Sequence, residues 1–125
     1  MMDENKFRQQ APWAIPSNAQ FSEDHRVGYR QISFHWEDAG WQYNARWHQQ
    51  LPTATLITYP SWQLSRVLPG KGFGPAAHQR REEVLVGDQW LPMRQIRYCA
   101  LRLAKGVATS QELMLLKRAH VRASF

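Results

Sequence analysis

The sequence predicts an α+β fold: a small antiparallel β-sheet of four or five strands, based on a hairpin and packed against a C-terminal helical hairpin. Three observations carry this expectation. Apolar and polar residues alternate twice in succession around residues 31–48, the period of half-buried strands. Helical spacing takes over only after Pro92. Between these regions, short β-branched or aromatic runs are cut by Pro60-Ser61, Pro69-Gly70 and Gly87-Asp88. With 125 residues the chain suits a single core.

Residues 1–28 lack periodicity, and Pro12 and Pro16 interrupt any helix, so this stretch reads as an extended arm pinned by Trp13 or Phe21. Residues 29–125 form the α+β domain. Its first hairpin pairs Ile32, Phe34 and Trp36 with Trp41, Tyr43, Ala45 and Trp47 across Glu37-Asp38-Ala39-Gly40. Both apolar sets share a face only if the loop holds an even number of residues. A four-residue loop sets Trp36 opposite Trp41, Phe34 opposite Tyr43, and Ile32 opposite Ala45.

Thr53–Tyr59 is β-branched and reads as a strand or extended edge, and Trp62–Leu68 reads as the next strand. A Gly-rich loop, Gly70–Pro75, follows. Val84–Val86 and Gln89–Leu91 then flank Gly87-Asp88 as a short hairpin. Pro92 suits a first helical position. Met93, Ile96, Cys99 and Leu103 recur at helical spacing, and Gly106 fits the cap beyond the helix. Thr109 and Glu112 make a capping box ahead of Leu113, Leu116 and Ala119. The two helices are expected near 92–105 and 109–120.

One cysteine excludes an internal disulfide framework and a multi-cysteine metal site. No apolar run is long enough to span a bilayer, and the acidic N-terminus does not resemble a secretory signal. A cytoplasmic protein with no membrane partner is expected. No metal and no cofactor is expected either, since His25, His35, His48, His78 and His120 show no ligand spacing. Cys99 falls on the apolar helical stripe and reads as a packed thiol.

The formal charge of +6 is concentrated at one end. Arg94, Arg97, Arg102, Lys105, Lys117, Arg118 and Arg122 face Glu112 alone after residue 90, whereas the first 90 residues balance. Cations near helix C-termini offset the macrodipole, which accounts for Lys105, Lys117 and Arg118. It does not account for the near-absence of acidic residues. These seven positions are the expected contacts to DNA or RNA phosphate, in a non-catalytic binding protein. A helix-turn-helix is disfavoured because Arg102 stands where that motif needs a small residue.

Two other readings come from the first hairpin. Its polar face carries Tyr29, Ser33, His35, Asn44, Arg46 and His48. Arg46 and His48, with Tyr29 across the strand and a histidine such as His78 brought in from a loop, have the residue types of a ribonuclease-like toxin. In the register above, His35 lies roughly 20 Å from His48, too far for a dyad. The apolar face, with Trp36, Trp41, Tyr43 and Trp47, is either the sheet side of the core or an exposed surface. If exposed, it offers stacking for single-stranded bases or a homo-oligomer contact. The Gly70–Pro75 loop lacks the Lys-Ser/Thr pair of a nucleotide-binding loop.

Trp41-x-Tyr43-x-Ala45-Arg46-Trp47-His48, then Gly87-x-x-Trp90, then Gly106-x-Ala108-Thr109-x-Gln111-Glu112-x-x-Leu115 ending near His120, resemble a set of short uncharacterised bacterial proteins and terminal domains. The similarity covers about residues 34–120. It implies a bacterial origin and an unassigned function, and it transfers no site.

Overall fold

The computed structural model describes residues 4–26, 29–50, 59–70 and 80–123. The expected strand at Thr53–Tyr59 apart from Tyr59, most of the Gly70–Pro75 loop, and His78 lie outside them. The elements are α1 (Glu4–Gln10), β1 (Gln20–Arg26), β2 (Tyr29–Asp38), β3 (Trp41–Gln50), β4 (Ser61–Leu68), β5 (Arg81–Val86), β6 (Gln89–Pro92), α2 (Met93–Ala104), α3 (Ser110–Ala119) and β7 (Val121–Arg122). The strands form one antiparallel sheet in the order β1-β2-β3-β4-β5-β6, and β7 returns to pair with β4. This is the expected α+β class, with seven strands rather than four or five. No described helix is long and apolar enough to cross a membrane.

The segment read as an extended arm instead contains α1 and β1. Phe7, fully buried on α1, packs on Trp47 and Trp62 with ring centroids 5.1 and 6.4 Å apart. Trp13 meets Trp62 edge-on at 6.4 Å. Arg8 ties this segment down by donating to the carbonyls of Pro16 (2.6 Å) and Ala19 (3.3 Å). Its guanidinium also lies over the Phe34 ring, 5.0 Å from the centroid. Short-range periodicity fails here because α1 buries only Phe7 and β1 is a polar edge strand.

The aromatic hairpin face is indeed core, but α1 and the chain after it cover it, not the C-terminal helices. Ile32, Phe34, Ala45, Trp47, Trp62 and Leu64 pack there with Phe7 and Ala19. The helix pair packs on the opposite face at the β5–β6 end, where Val84 and Val86 meet Ile96, Cys99, Leu116 and Ala119. Cys99 is the packed thiol expected. The Thr109–Glu112 capping box is present, and Gly106 has the positive φ of 73° that a residue just past a helix end adopts.

The hairpin register differs by two residues from the four-residue-loop expectation. Trp36 faces Tyr43, Phe34 faces Ala45, and Ile32 faces Trp47. The loop is Ala39-Gly40 alone, with φ of 51° and 83°, the paired left-handed conformation of a two-residue hairpin turn. Evenness of the loop still puts both apolar sets on one face.

The plug formed by Phe7 gives a direct test. Phe7→Ala is expected to cost about 3–5 kcal/mol of unfolding free energy, because it opens a cavity against two indoles. Denaturant unfolding followed by Trp fluorescence measures it. A loss below about 1 kcal/mol means that α1 does not seal the core.

Candidate functional site

Beyond the rows covered by α1, the apolar face continues toward the β2–β3 turn as a half-buried strip of aromatic rings and arginine. Cross-strand pairing aligns Trp36, Tyr43, Arg66 and Glu83 across four strands. Trp36 and Tyr43 stack at 5.4 Å with ring planes 3° apart. Trp90 meets Tyr43 edge-on at 6.0 Å. The Arg66 guanidinium lies between two indoles, 4.0 Å from the Trp41 centroid and 4.1 Å from that of Trp90. It donates twice to Glu83 Oε1, at 2.9 and 2.7 Å, while Arg81 donates to Glu83 Oε2 at 3.0 Å. The buried Glu83 carboxylate is thus held by two arginines.

Arg81 also lies over Trp41, 5.4 Å from its centroid, and so connects this strip to an open cleft. The cleft, about 390 Å³, is lined by Arg80, Arg81, Glu82 and Glu83 at the start of β5, and by Pro92, Met93, Arg94 and Arg97 at the start of α2. Glu82 accepts from Arg97 at 3.2 Å and pairs with Arg80 at 3.3 Å. Four arginines therefore surround two carboxylates, and the Arg80, Arg81 and Arg97 side chains stay 59%, 59% and 68% exposed despite their pairing.

The seven basic residues predicted at the C-terminal end take different places. Arg94 and Arg97 line this cleft. Arg102 is held by its own chain: its Nε pairs with Glu112 at 2.7 Å, and its Nη2 donates to the Val107 carbonyl at 2.9 Å. Bonds from Thr109 and Arg102 in turn hold the Glu112 carboxyl below its usual range. Lys105, Lys117 and Arg118 are exposed on the helix pair. Arg122 is on β7, opposite Ser61 and over the Tyr59 ring at 5.4 Å. The large apolar side chains most open to solvent are Tyr98, Leu101, Val107 and Met114, so the expected homo-oligomer contact through exposed Trp has only half-buried indoles to draw on.

The ribonuclease-like reading named Arg46, His48 and Tyr29. Tyr29 begins β2, with its side chain outside the described part. Arg46 and His48 share the polar sheet face, where Ser33, Ser61, Gln63 and Ser65 are buried. His35 pairs with Asn44, which leaves it about 13 Å along the strand from His48 and still out of reach. Among the described residues, the histidine that reaches His48 is His120, just ahead of β7, at 6.2 Å between ring centroids. Burial, then the charges of Arg46 and His120, push His48 down to about 4. Burial lowers His120, and burial with Arg46 lowers His35. Among the described residues no group of three or more His, Cys, Asp or Glu could hold a metal.

Sequence reasoning missed Arg66, Arg80, Arg81 and His120. For Arg66 a signal existed: the alternation Trp62, Leu64, Arg66 puts a cation on the aromatic face. Arg80 and Arg81 lie in the charge-balanced part of the chain, and the meeting of His120 with His48 depends on the return of β7. No protein family matches this chain, and no characterised protein or solved structure is detectably similar to it.

Because His48 titrates lower in the folded chain than in an unfolded one, the unfolded state binds more protons between about pH 4 and 6.5. Its contribution is fully present above pH 6.5 and is lost as the pH falls toward 4. Unfolding free energy is expected to drop by up to about 3 kcal/mol over that range, with a shallower drop in His48→Gln. Denaturation midpoints measured at several pH values check this.

Proposed function

We propose that this protein binds single-stranded nucleic acid along the arginine cleft and the adjoining aromatic strip. The observation that carries the reading is the cleft itself: Arg80, Arg81 and Arg97 pair with two carboxylates, Arg94 lines the same cleft, and all four remain exposed, with Arg81 reaching over Trp41. Arginine forks suit phosphate oxygens, and half-exposed indoles next to them suit stacked bases. That pairing of chemistries favours a single strand, because a duplex keeps its base faces covered. The excess of arginine over glutamate leaves a local positive field even with every ion pair intact. The buried polar face around Arg46 and His48 has little room for a polymer, so the ribonuclease-like alternative has less geometric support.

Binding of a short single-stranded oligonucleotide is expected to weaken steeply with added salt. In the Arg94→Ala/Arg97→Ala double variant the log–log salt slope should fall by about 1.4, with about tenfold weaker binding at low salt. Trp36→Ala should weaken binding by about 1–3 kcal/mol while leaving the slope alone. Fluorescence anisotropy titrations measure all three. Equal affinity at low and high salt removes the reading.

A further inference from the structure

The polar face of the sheet holds a second set of groups, away from the arginine cleft. Cross-strand pairing places Ser33, Arg46 and Gln63 in one row, and Gln31, His48, Ser61 and Arg122 in the next. His120 enters this lattice from the end of α3, where its ring meets that of His48. Ser33, Ser61 and Gln63 are no more than 8% exposed. Within this enclosure Arg46 Nε is buried without a hydrogen-bond partner, as are Asn44 Oδ1 and His120 Nδ1. No ion pair compensates Arg46 among the described residues.

A guanidinium partly removed from water with no counter-charge is costly, and the cost falls when an anion arrives. The other charged or titratable groups that share this face among the described strands are His35 and Glu37 on β2, Glu82 on β5, Arg122 on β7 and Asp24 on β1, which pairs with Gln31 two strands from His48. We infer that Arg46, with His48 and His120 beside it, forms a binding site for one tetrahedral oxyanion of the phosphate type. The guanidinium fork, two imidazoles, two hydroxyls and the Gln63 amide supply more donors than a carboxylate could accept. Burial of the surrounding side chains limits the ligand to a single such group on a small molecule or free in solution.

Protonation is coupled to this binding. The imidazoles are neutral at neutral pH, His48 held so by burial and then by Arg46, and His120 by burial. An anion bound at Arg46 cancels that repulsion and accepts hydrogen bonds from protonated rings, so binding draws in protons. Affinity therefore rises as the pH falls.

The test uses the intact chain and inorganic sulfate, an oxyanion whose own charge is constant across this range. NMR titration of the imidazole resonances is expected to show sulfate raising the apparent pKa of both His48 and His120 by about one unit or more. Binding should tighten by up to about tenfold per pH unit for each proton taken up. Arg46→Gln should lose the response and Arg46→Lys should keep part of it. Arg94→Ala/Arg97→Ala should leave it unchanged, which separates this site from the oligonucleotide surface. Inorganic phosphate and a nucleoside monophosphate, compared at one pH, identify the source. Tighter binding of the nucleotide marks the site for a nucleotide's phosphate end, equal binding marks it for the free oxyanion, and either requires Arg46. Wild-type His48 and His120 resonances that ignore saturating sulfate and phosphate, or an Arg46→Gln variant that responds like wild type, overturn the proposal.

Discussion

The fold depends on the contact of Phe7 with Trp47 and Trp62. A sheet with bulky aromatics on one face cannot stand alone in water, and the helix pair at the C-terminal end is committed to the opposite side. The short N-terminal helix closes the open face with one fully buried ring. Arg8 holds the helix in place, trading a long flexible side chain for two carbonyl bonds and a position over Phe34. A seven-residue helix is marginal in isolation. Tertiary contact is what makes it helical.

That arrangement decides where chemistry is available. The helix covers only the inner rows of the aromatic face, so the outer rows near the β2–β3 turn stay half open. In those rows the chain has placed arginine between indoles instead of more aliphatic core. Arg66 is fixed by ring faces and by Glu83 together, which makes it a rigid spacer between Trp41 and Trp90 and not a mobile surface charge. Arg80, Arg94 and Arg97 are more exposed and line the open cleft. On the polar face a half-buried cation, Arg46, lies among buried hydroxyls and two partly buried imidazoles.

Much of the architecture was legible because local rules and tertiary demands agree. Period-two alternation found the first hairpin, the Gly87-Asp88 turn found the second, and Thr109 with Glu112 fixed the start of α3. The register was off by two because parity, which the alternation enforces, is indifferent to a two-residue slip. Choosing the tight loop puts Ala39 at positive φ, a conformation that residue types other than glycine, asparagine and aspartate seldom adopt. The N-terminal segment was illegible for a different reason: it contributes one buried side chain from its helix and a polar edge strand, so it carries almost no periodic signal. Charge counting placed Arg94, Arg97 and Arg102 in one basic cluster. Only the coordinates reveal that Glu112 occupies Arg102 while Arg80 and Arg81 join the cleft.

One strand, β4, divides a single edge between two neighbours: β5 along its second half and β7 along its first two residues. The six-strand meander can zip up from neighbouring hairpins, each closing a short loop. The β7 pairing spans roughly sixty residues of chain and must wait for the helix pair to settle, so it carries the largest closure entropy in the sheet. The last strand therefore behaves as a latch, set after everything else and the first to lift under local fluctuation.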